Sequence, residues 1–461
     1  MPKETVSGHL TISEEGVITL LLNGIFPQNS FSGELSSRDE ILSKHVVLGV
    51  LKGNSEKVIL MGLRRGEYRY SFGGFCYEGY RAEYCLVGRL RDLSNVFNIK
   101  VAGLSVDLNS HNDWIAHDLF IPSENAGVHS INITLPRKYE SKVSESVRVS
   151  IEGNYHGEFE EINGAKKLAL HAGLIWTLTF RSAVVLDEAH AYYKATSELF
   201  MLLSASGTRL DWPKVQVGRG KTKRFAKFYF YRPKDSGIAP REHYGFVCYE
   251  DISHCIGQLF QSWLDLKAKV GAGCHLFFLL LSPGQVYIEH MYVSAIWGLE
   301  CYHRRQYGDH REKKSDKGDR IKEAIDTLHQ LKSDERRSLK ASVDRAVEYS
   351  LQDRLVNLFD SLPIMFEKKS MIEFCKACAD RRNDISHYGG YRTVGSGHQQ
   401  GDFNEELVIK SIVLKYLYGA LLLKDIGVDE ELVSGFFKYG PDSSWIRRNF
   451  EAVGLKVLPA A

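Results

Sequence analysis

The spacing of apolar residues changes its period near residue 250, and this change limits the possible folds more than any other feature. Before it, the chain consists of short apolar or alternating runs, most of them closed by Gly, Asn or Ser, which is typical of β-strands. The predicted strands are residues 10–12, 17–22, 45–51, 57–61, 98–101, 130–135, 147–151 and 174–180. Strands separated by turn signals predict a β-sandwich or an open barrel, interrupted here by one helix over residues 187–203.

After residue 250, apolar residues recur every three or four positions, as on one face of an amphipathic helix. The first such face is formed by Ile252, Ile256, Leu259, Phe260, Trp263 and Leu266. Further helices are predicted at residues 275–281, 286–307, 319–331, 339–358, 371–387, 404–423 and 430–437, with loops at 303–320 and 389–402. We therefore predict an α+β protein with a β-rich, sandwich- or barrel-like domain at residues 1–240 and an all-α helical-bundle domain at residues 248–461.

Composition narrows the class of protein. The 461 residues are 44% hydrophobic and 25% charged, which excludes a disordered or fibrous chain. A net charge of +2 gives no global signal for nucleic-acid binding, so any basic surface must be local. The eight cysteines follow no disulfide framework, and neither a secretory leader nor an apolar run of membrane-spanning length is recognisable. We expect free thiols in a soluble, cytoplasmic protein without membrane contact.

Three motif fragments do not complete a cofactor or metal site. Asp187-Glu-Ala-His190 and Gly220-Lys-Thr222 resemble parts of an ATPase, but Val215 stands where a phosphate-binding loop needs its first glycine. The acidic fragment also precedes the Lys-Thr pair, which reverses the usual order. Cys375 and Cys378 lack the second ligand pair that structural zinc requires, so we predict buried thiols. No cofactor and no metal are expected.

A basic and aromatic tract covers residues 218–232. Lysine and arginine attract phosphates, and aromatic faces stack on unpaired bases, so the tract is a candidate RNA contact. The candidate contact residues are Arg219, Lys221, Lys223 and Arg224. The alternative is a basic turn that leads into a strand whose aromatic residues face a core.

The main candidate site is the segment Arg381-Arg-Asn-Asp-Ile-Ser-His-Tyr-Gly-Gly390, at the end of a predicted helix. It contains an Arg-polar-x3-His pattern formed by Arg382, Asn383 and His387. Helical residues four apart lie on one face, so Asn383 and His387 are predicted to lie together with Arg382 beside them. The two glycines that follow are expected to end the helix and leave His387 accessible.

These residue types suit metal-independent cleavage of RNA. A proton must leave the 2′-hydroxyl and another must reach the departing 5′-oxygen, and histidine can carry out either transfer near pH 7. A guanidinium can stabilise the charge that builds up on the phosphoryl oxygens, and Asn383 could hold Arg382 or a phosphate oxygen. The Arg-x4-His spacing alone is weak evidence for a site, because Arg305 and His310 have the same spacing. A capped or exposed helix end is the alternative for the 382–387 segment.

With these residues in view, the C-terminal half resembles the ApeA-like HEPN domains of bacterial abortive-infection proteins. The resemblance rests on Arg382-Asn-Asp-Ile-Ser-His-Tyr388, on Trp297-Gly-Leu-Glu-Cys-Tyr-His-Arg304 and on the helix at residues 256–263. The N-terminal half resembles the β-rich domain that precedes HEPN in these proteins, including Trp114 and the helix at residues 199–203.

The resemblance implies an endoribonuclease that acts on tRNA or another cellular RNA and is toxic to the infected cell, in anti-phage defence. It also implies a homodimer through the HEPN domain, with two Arg/His sets facing one another. The β-rich domain would regulate the enzyme or sense a phage-derived trigger. Glu300 would then support Arg382, although a helical pair with Arg304 is an equal alternative. Tyr302, His303 and Tyr388 would line the cleft, unless they are ordinary packing or solvent-exposed residues.

Two further readings remain open from the sequence. In the first, the HEPN half only dimerises or binds nucleotide, and the protein is a non-catalytic sensor. The intact Arg382 and His387 pair argues against this reading, because a scaffold needs neither residue. In the second, a β-sandwich that binds a ligand is followed by an unrelated helical tail.

Overall fold

A computed structural model describes most of the chain. The described residues are 5–25, 41–42, 46–69, 76–90, 98–115, 120–125, 128–133, 138–162, 165–233, 245–281, 287–308, 315–389 and 400–458. The chain forms two compact units. The first consists of Met1–Phe200 with Thr208–Gly237, and the second of Met201–Gly207 with Ile238–Ala461.

The first unit is built mainly from antiparallel strands. In chain order, β1 to β16 are Gly8–Ile12, Ile18–Leu22, Ile41–Leu42, Val47–Val50, Lys57–Met61, Leu63–Arg69, Tyr77–Ala82, Tyr84–Gly88, Lys100–Asp107, Phe120–Asn125, Val128–Ile133, Tyr139–Lys142, Val147–Ile162, Ala165–Val185, Lys214–Val217 and Arg224–Phe230. Two helices begin in this unit, α1 at Asn112–Ile115 and α2 at Leu186–Leu203.

Two sheets of this unit share an apolar core. The five-stranded sheet has the order β1-β2-β7-β6-β3, and the nine-stranded sheet has the order β12-β13-β14-β9-β15-β16-β8-β5-β4. One apolar cluster joins Ile18 and Tyr80 of the smaller sheet to Val58 and Cys85 of the larger sheet. Burial alternates along β2, as expected for a strand with one face on a core. The predicted β-rich architecture is confirmed.

Helix α2 covers the opposite face of the nine-stranded sheet. The ring of Trp176 on β14 lies 5.4 Å from that of Phe200, and the ring of Phe230 on β16 lies 5.0 Å from that of Tyr193. The predicted helix at residues 187–203 matches α2 to within one residue. Strands β5 and β8 of the large sheet are buried on both faces.

The second unit is helical. In chain order, α3 to α14 are Tyr249–Ile252, Ile256–Val270, Ala272–His275, Phe278–Leu281, Ile288–Tyr307, Ser315–Thr327, Ser333–Val347, Leu351–Asp360, Lys368–Tyr388, Gln400–Asp425, Glu430–Tyr439 and Ser443–Ala452. The predicted bundle is confirmed. No helix in the described part of the chain is long and apolar enough to cross a membrane.

Helix α7 (Ile288–Tyr307) lies at the centre of the bundle and packs against α4, α5, α6, α10, α11 and α12. A glycine allows its close approach to α12, because a Cβ at Gly298 would lie only 2.7 Å from the Tyr418 hydroxyl. The apolar face predicted on residues 252–266 is buried throughout. Helix α7 can therefore present residues to both α11 and α12.

Several predicted helical boundaries differ from the structure, and the helix predicted at residues 275–281 is two short helices, α5 and α6. The helix predicted at residues 339–358 is two helices, α9 and α10, because Ser350 caps α10 by accepting a hydrogen bond from the Asp353 backbone N–H. The loop predicted at 303–320 is shorter, since α7 continues to Tyr307 and α8 begins at Ser315. The loop predicted at 389–402 is likewise shorter, because α12 begins at Gln400.

Candidate active site

Helix α11 carries the Arg-Asn-x3-His motif in its last two turns. Phe374, Cys375 and Cys378 anchor the helix in the bundle, each at most 2% exposed. The helix ends at Gly389, whose φ of 68° is the left-handed conformation that glycine adopts at low cost. The start of α11 is therefore anchored in the bundle by these three residues, while the apolar Ile372 is 38% exposed.

The Arg382 guanidinium reaches from α11 to α7. Its Nη2 donates to Oε2 of Glu300 at 3.1 Å, and its Nη1 donates to Oδ1 of Asn383 at 3.0 Å. The side chain is 25% exposed, and its Nε is buried without a hydrogen-bond partner. Arg382 is thus held in place by two acceptors while part of its guanidinium stays open to solvent.

Glu300 is shared by two arginines. Its Oε1 accepts hydrogen bonds from Nη2 of Arg304 at 3.0 Å and from Nε of Arg304 at 3.3 Å, while Oε2 accepts from Arg382. The two roles that the sequence leaves as alternatives for Glu300 therefore occur together. Of the three side chains, Glu300 is the least exposed at 18%.

His387 lies in the last turn of α11 and is exposed to solvent. The neighbouring Tyr388 is 58% exposed, and the two ring centroids lie 6.3 Å apart, edge to face. Arg382 contacts Glu300 on α7, whereas the His387 side chain is exposed to solvent. Tyr388 is accessible at the motif, and its place in a cleft stays a prediction.

Two of the predicted cleft residues are buried in the bundle instead. Tyr302 is fully buried and donates a hydrogen bond to Oδ2 of Asp425 on α12. Its pKa lies far above the ordinary value, first because of burial and then because of the Asp425 charge. The expectation that Tyr302 lines the cleft is wrong, because its side chain tethers α7 to α12.

His303 is also fully buried, and the same correction applies to it. Its Nδ1 lies 3.2 Å from Nη1 of Arg354, and its Nε2 lies 3.3 Å from the side-chain amide of Asn357. Arginine can only donate, so Nδ1 accepts the hydrogen bond from Arg354. The Asn357 atom that contacts Nε2 is the amide nitrogen Nδ2. His303 joins α7 to α10.

A cluster of charged residues joins the motif helix α11 to α12 through Arg381. Arg381 donates to both carboxylate oxygens of Glu406 on α12, at 2.8 and 3.0 Å, and to Asp384 at 3.3 Å. The buried Lys410 donates to Glu406 at 2.6 Å. Burial raises the pKa of Glu406, but hydrogen bonds from Lys410 and Arg381 outweigh burial and hold the pKa below its ordinary value. The adjacent arginines 381 and 382 therefore contact different helices.

The sequence alone does not indicate that Glu406 and Lys410 are neighbours of the motif. Their i,i+4 spacing was a usable signal for a helical charge pair, yet nothing local connects that pair to Arg381. Arg304 was identified only as a helical partner of Glu300. Its place beside Arg382 depends on the packing of α7 against α11.

The cysteines near the motif are not arranged for metal binding or nucleophilic chemistry. Cys375 and Cys378 are completely buried, and burial raises the pKa of Cys378 to about 11. Such thiols stay protonated at neutral pH. Among the described residues, no group of three or more His, Cys, Asp and Glu side chains could hold a metal ion.

The basic tract lies in the first unit. Nη2 of Arg219 donates to the backbone carbonyls of Phe180 and Arg181, both at 2.6 Å, and so holds the irregular end of β14. Arg219 thus has a structural contact while its side chain stays exposed, and RNA contact by this residue stays a prediction. Nζ of Lys223 lies 4.8 Å from the centroid of the exposed Phe225 ring. Arg224 donates to the Lys223 carbonyl at 2.7 Å, and the side chain of Lys221 lies outside the described part.

The second Arg-x4-His pair is not comparable with the first. Arg305 is an exposed residue in the last turn of α7, and His310 lies outside the described residues. Glu300 hydrogen-bonds to Arg304 and Arg382, and not to Arg305. Arg305 is therefore a suitable control for charge changes at its neighbour Arg304.

Two family profiles match the chain. The profile described as ApeA N-terminal domain 1 matches residues 2–263, and the profile described as Apea-like HEPN matches residues 293–432. No curated protein and no solved structure shows a significant match. The HEPN match includes the parts of α7 and α11 that carry Glu300, Arg382 and His387. Because the N-terminal match alone spans more than half of the sequence, the chain belongs to the ApeA-like HEPN proteins.

Proposed function

We propose that this protein is a metal-independent endoribonuclease of anti-phage defence that cleaves cellular RNA, with tRNA as the expected substrate. HEPN domains are generally ribonucleases, and the family is associated with defence. The observation that carries the proposal is the fixed Arg382 guanidinium, held by Glu300 and Asn383 within two turns of the exposed His387. A scaffold would need neither an oriented, partly open arginine nor an accessible histidine.

The proposed chemistry assigns one task to each residue. His387 takes the proton from the 2′-hydroxyl or gives one to the departing 5′-oxygen. Arg382 donates hydrogen bonds to the phosphoryl oxygens as their charge increases. Asn383 keeps the Arg382 guanidinium in orientation through its Oδ1. Attack by the 2′-hydroxyl leaves a 2′,3′-cyclic phosphate on one fragment and a 5′-hydroxyl on the other.

Two proton transfers are easier with two histidines, and the motif supplies only one per chain. HEPN domains commonly dimerise, so we extend the proposal to a homodimer in which two copies of α11 face each other. The exposed face of α11 supports this arrangement, because Ile372, at 38% exposure, lies on the side of the helix that carries Asn383 and His387. Cys375 and Cys378 are buried within the bundle and are not available to a partner.

Regulation is assigned to the first unit. An active ribonuclease must be restrained until infection, and the β-rich unit matches a separate family domain that precedes HEPN. We assign it the role of sensing a phage-derived trigger and controlling cleavage. The fold supports a distinct role because the unit has its own core.

The direct test is incubation of the purified protein with total RNA in excess EDTA. We expect cleavage, with tRNA among the cleaved species, and fragments that end in 2′,3′-cyclic phosphate or its hydrolysis product. DNA of matched length should stay intact, because it lacks the 2′-hydroxyl. A strict requirement for Mg²⁺ or Mn²⁺, with DNA cleaved as readily as RNA, would contradict the proposal.

A further inference from the structure

We infer that one face of strand β16 is a binding site for single-stranded RNA in the β-rich unit. Alternate residues of a strand point to the same face, and here they form a row of cations and aromatic rings. This cation–aromatic row consists of Lys223, Phe225, Lys227, Tyr229 and Tyr231. The choice of RNA as the ligand rests on the proposed function, but the site itself lies in the first unit and is separate from the Arg-Asn-x3-His motif.

The two faces of β16 differ sharply in burial. Ala226, Phe228 and Phe230 are at most 2% exposed. The ring of Phe230 packs against that of Tyr193 on α2, with centroids 5.0 Å apart. Phe225 points to the other face and is 47% exposed. A core under α2 therefore explains the aromatic residues of one face, and leaves those of the cation–aromatic row to be explained.

Cations lie beside the rings of this row. Nζ of Lys223 is 4.8 Å from the centroid of Phe225, and Nζ of Lys227 is 5.5 Å from the centroid of Tyr229. Tyr231, one residue beyond the end of the strand, is 62% exposed. The row therefore presents two exposed aromatic rings and two exposed lysines on one side of the sheet.

The charge of this hairpin is complementary to that of a polyanion. Residues 213–233 contain seven Lys and Arg residues and no Asp or Glu, whereas the whole chain has a net charge of +2. Because this segment carries +7, the rest of the chain carries −5. Asp107 offsets one of the seven charges, since it pairs with Lys214 of the same hairpin at 3.4 Å. Such a local concentration of cations attracts the phosphates of a nucleic acid.

The exposed rings favour unpaired bases as the second part of the ligand. Every base has a face that can stack on an aromatic ring, and a base is available for this only outside a duplex. Neighbours in the row are about 7 Å apart, because a strand rises about 3.4 Å per residue. A base that stacks on Phe225 therefore has Lys223 and Lys227 on either side for its phosphates. An acidic peptide would use the lysines and has no use for the exposed rings.

The neighbouring strands supply polar groups that suit ribose. Gln216 of β15 and Thr179 of β14 lie in the same cross-strand row as Phe225, with Gly103 of β9 between them. The Nε2 of Gln216 donates to the carbonyl of Gly218 at 3.1 Å, so its Oε1 can accept a further hydrogen bond. A 2′-hydroxyl is both a donor and an acceptor, and DNA lacks it. These groups favour RNA over DNA.

The experiment measures RNA binding by the full-length His387→Ala protein, in which the probe stays intact. The probe is a fluorescein-labelled single-stranded RNA of mixed sequence and about 12 nucleotides, within the range that one binding face covers. It is titrated by fluorescence anisotropy over a series of salt concentrations. Phe225→Ala should raise Kd at least about fivefold, the lower end for the loss of one stacked base. Lys227→Gln should reduce the slope of log Kd against log salt by about 0.7, the value for one phosphate contact on a single strand.

Two matched controls lie in the same unit. Tyr155 on β13 is 60% exposed and lies outside the basic hairpin, so Tyr155→Ala removes an exposed ring away from the row. Lys57 on β5 is exposed and lies in the cross-strand row of Ala226, on the opposite face from Lys227. Tyr155→Ala and Lys57→Gln should each change Kd by less than about twofold and leave the slope unchanged. Thermal unfolding of all four variants checks that the fold is intact.

The position of the RNA is mapped separately, because the candidate active site would also bind RNA. The same RNA carrying 4-thiouridine is crosslinked to the protein by ultraviolet light, and the labelled peptides are identified by mass spectrometry. Crosslinks should fall within residues 223–231. Crosslinks confined to the helical unit would overturn the inference.

The outcomes separate this inference from the ribonuclease proposal. If the protein with native His387 cleaves RNA while Phe225→Ala and Lys227→Gln bind the probe like their controls, the inference is wrong and the ribonuclease proposal stands. If nothing cleaves RNA but these two variants alone weaken binding, the inference holds and the ribonuclease proposal fails. Equally tight binding of single-stranded DNA or of duplex RNA of the same sequence would overturn the assignment to single-stranded RNA.

Discussion

The carboxylate of Glu300 on α7 accepts a hydrogen bond from the guanidinium of Arg382 on α11 at 3.1 Å, across 82 residues of sequence. This contact links the family segment Trp297–Arg304 to the motif at residues 382–387. Substitution of Arg382 leaves Glu300 paired with Arg304. The site can therefore lose its motif arginine without leaving a buried, uncompensated charge, so activity and stability can be tested separately.

Substitution of Arg381 should mainly reduce stability, whereas substitution of the adjacent Arg382 should mainly reduce RNase activity. Arg381→Gln should lower the free energy of unfolding by about 1–3 kcal/mol, because it removes a two-point contact to the half-buried Glu406. Arg382→Gln should cost less than about 1 kcal/mol, as expected for a partly exposed pair. The RNase activity should show the reverse order, with the larger loss for Arg382→Gln.

Chemical denaturation and an RNA cleavage assay on the same preparations provide the measurement. Glu406→Gln is the control for the structural cluster. Because the pKa of Glu406 is held low in the fold, its ionisation stabilises the protein above the pKa of the unfolded chain. This contribution is lost as the pH falls through the folded-state pKa. Equal losses of stability in Arg381→Gln and Arg382→Gln would contradict the assignment of a structural role to Arg381 and a catalytic role to Arg382.

The β-rich unit should lose stability in mild acid because of His111. This side chain is completely buried beside Trp114 and Phe200, and its Nε2 has no hydrogen-bond partner. Burial lowers the pKa of His111 to about 3, whereas the unfolded chain titrates near the ordinary value of 6.5. Between these values the unfolded state binds a proton that the folded state does not, so stability falls as the pH falls. The expected loss between pH 7 and pH 5 is about 2 kcal/mol.

Urea denaturation at pH 7 and at pH 5, monitored by tryptophan fluorescence, tests this expectation. The nearby Trp114 and Trp176 report on this core. His111→Phe keeps an aromatic ring in the cluster and removes the titrating group, so its pH dependence should be smaller by about the same 2 kcal/mol. An unchanged pH dependence in His111→Phe would assign acid sensitivity to other groups.

The sequence predicts the fold well where one face of an element is buried. The eight predicted strands overlap strands of the structure, and the face predicted on residues 252–266 lies in the core. The hairpin of β13 and β14 is much longer than predicted, extending through Ile162 and from Ala165. Glycine and asparagine, which are depleted in strands, interrupt its pattern at residues 153, 154, 157 and 173. Its ends are determined by pairing between the two strands, and not by local propensity.

The sequence predicts only those features of the candidate site that lie within a single helix. The motif and its position at a helix end follow from local spacing and the terminal glycines. The burial of Tyr302 and His303 does not, because α7 is surrounded by neighbours and its sequence does not show which face lies outward. Hydrogen bonds to Asp425 and Asn357, on two other helices, determine where these side chains lie. Tertiary packing therefore decides which polar residues of α7 remain accessible.

A composite site predicts that dimerisation is required for activity. Mixing wild-type protein with an excess of His387→Ala protein should lower the cleavage rate per wild-type chain, because mixed dimers contain one histidine. Mass photometry at the assay concentration gives the oligomeric state in parallel. Ile372→Glu, which places a charge on the exposed face of α11, should weaken both dimerisation and cleavage. A monomer that cleaves at the full rate at nanomolar concentration would refute the composite site.

The central assignment of Arg382 and His387 is tested most directly by cleavage of total RNA by purified wild-type, Arg382→Ala and His387→Ala proteins. Loss of a general acid or base should lower the rate by about 10²–10⁴-fold, with the thermal unfolding of each variant close to that of the wild type. Arg305→Ala should retain full activity, because Arg305 is exposed outside the cluster. Undiminished cleavage by both motif variants, or an equal loss in Arg305→Ala, would contradict the assignment.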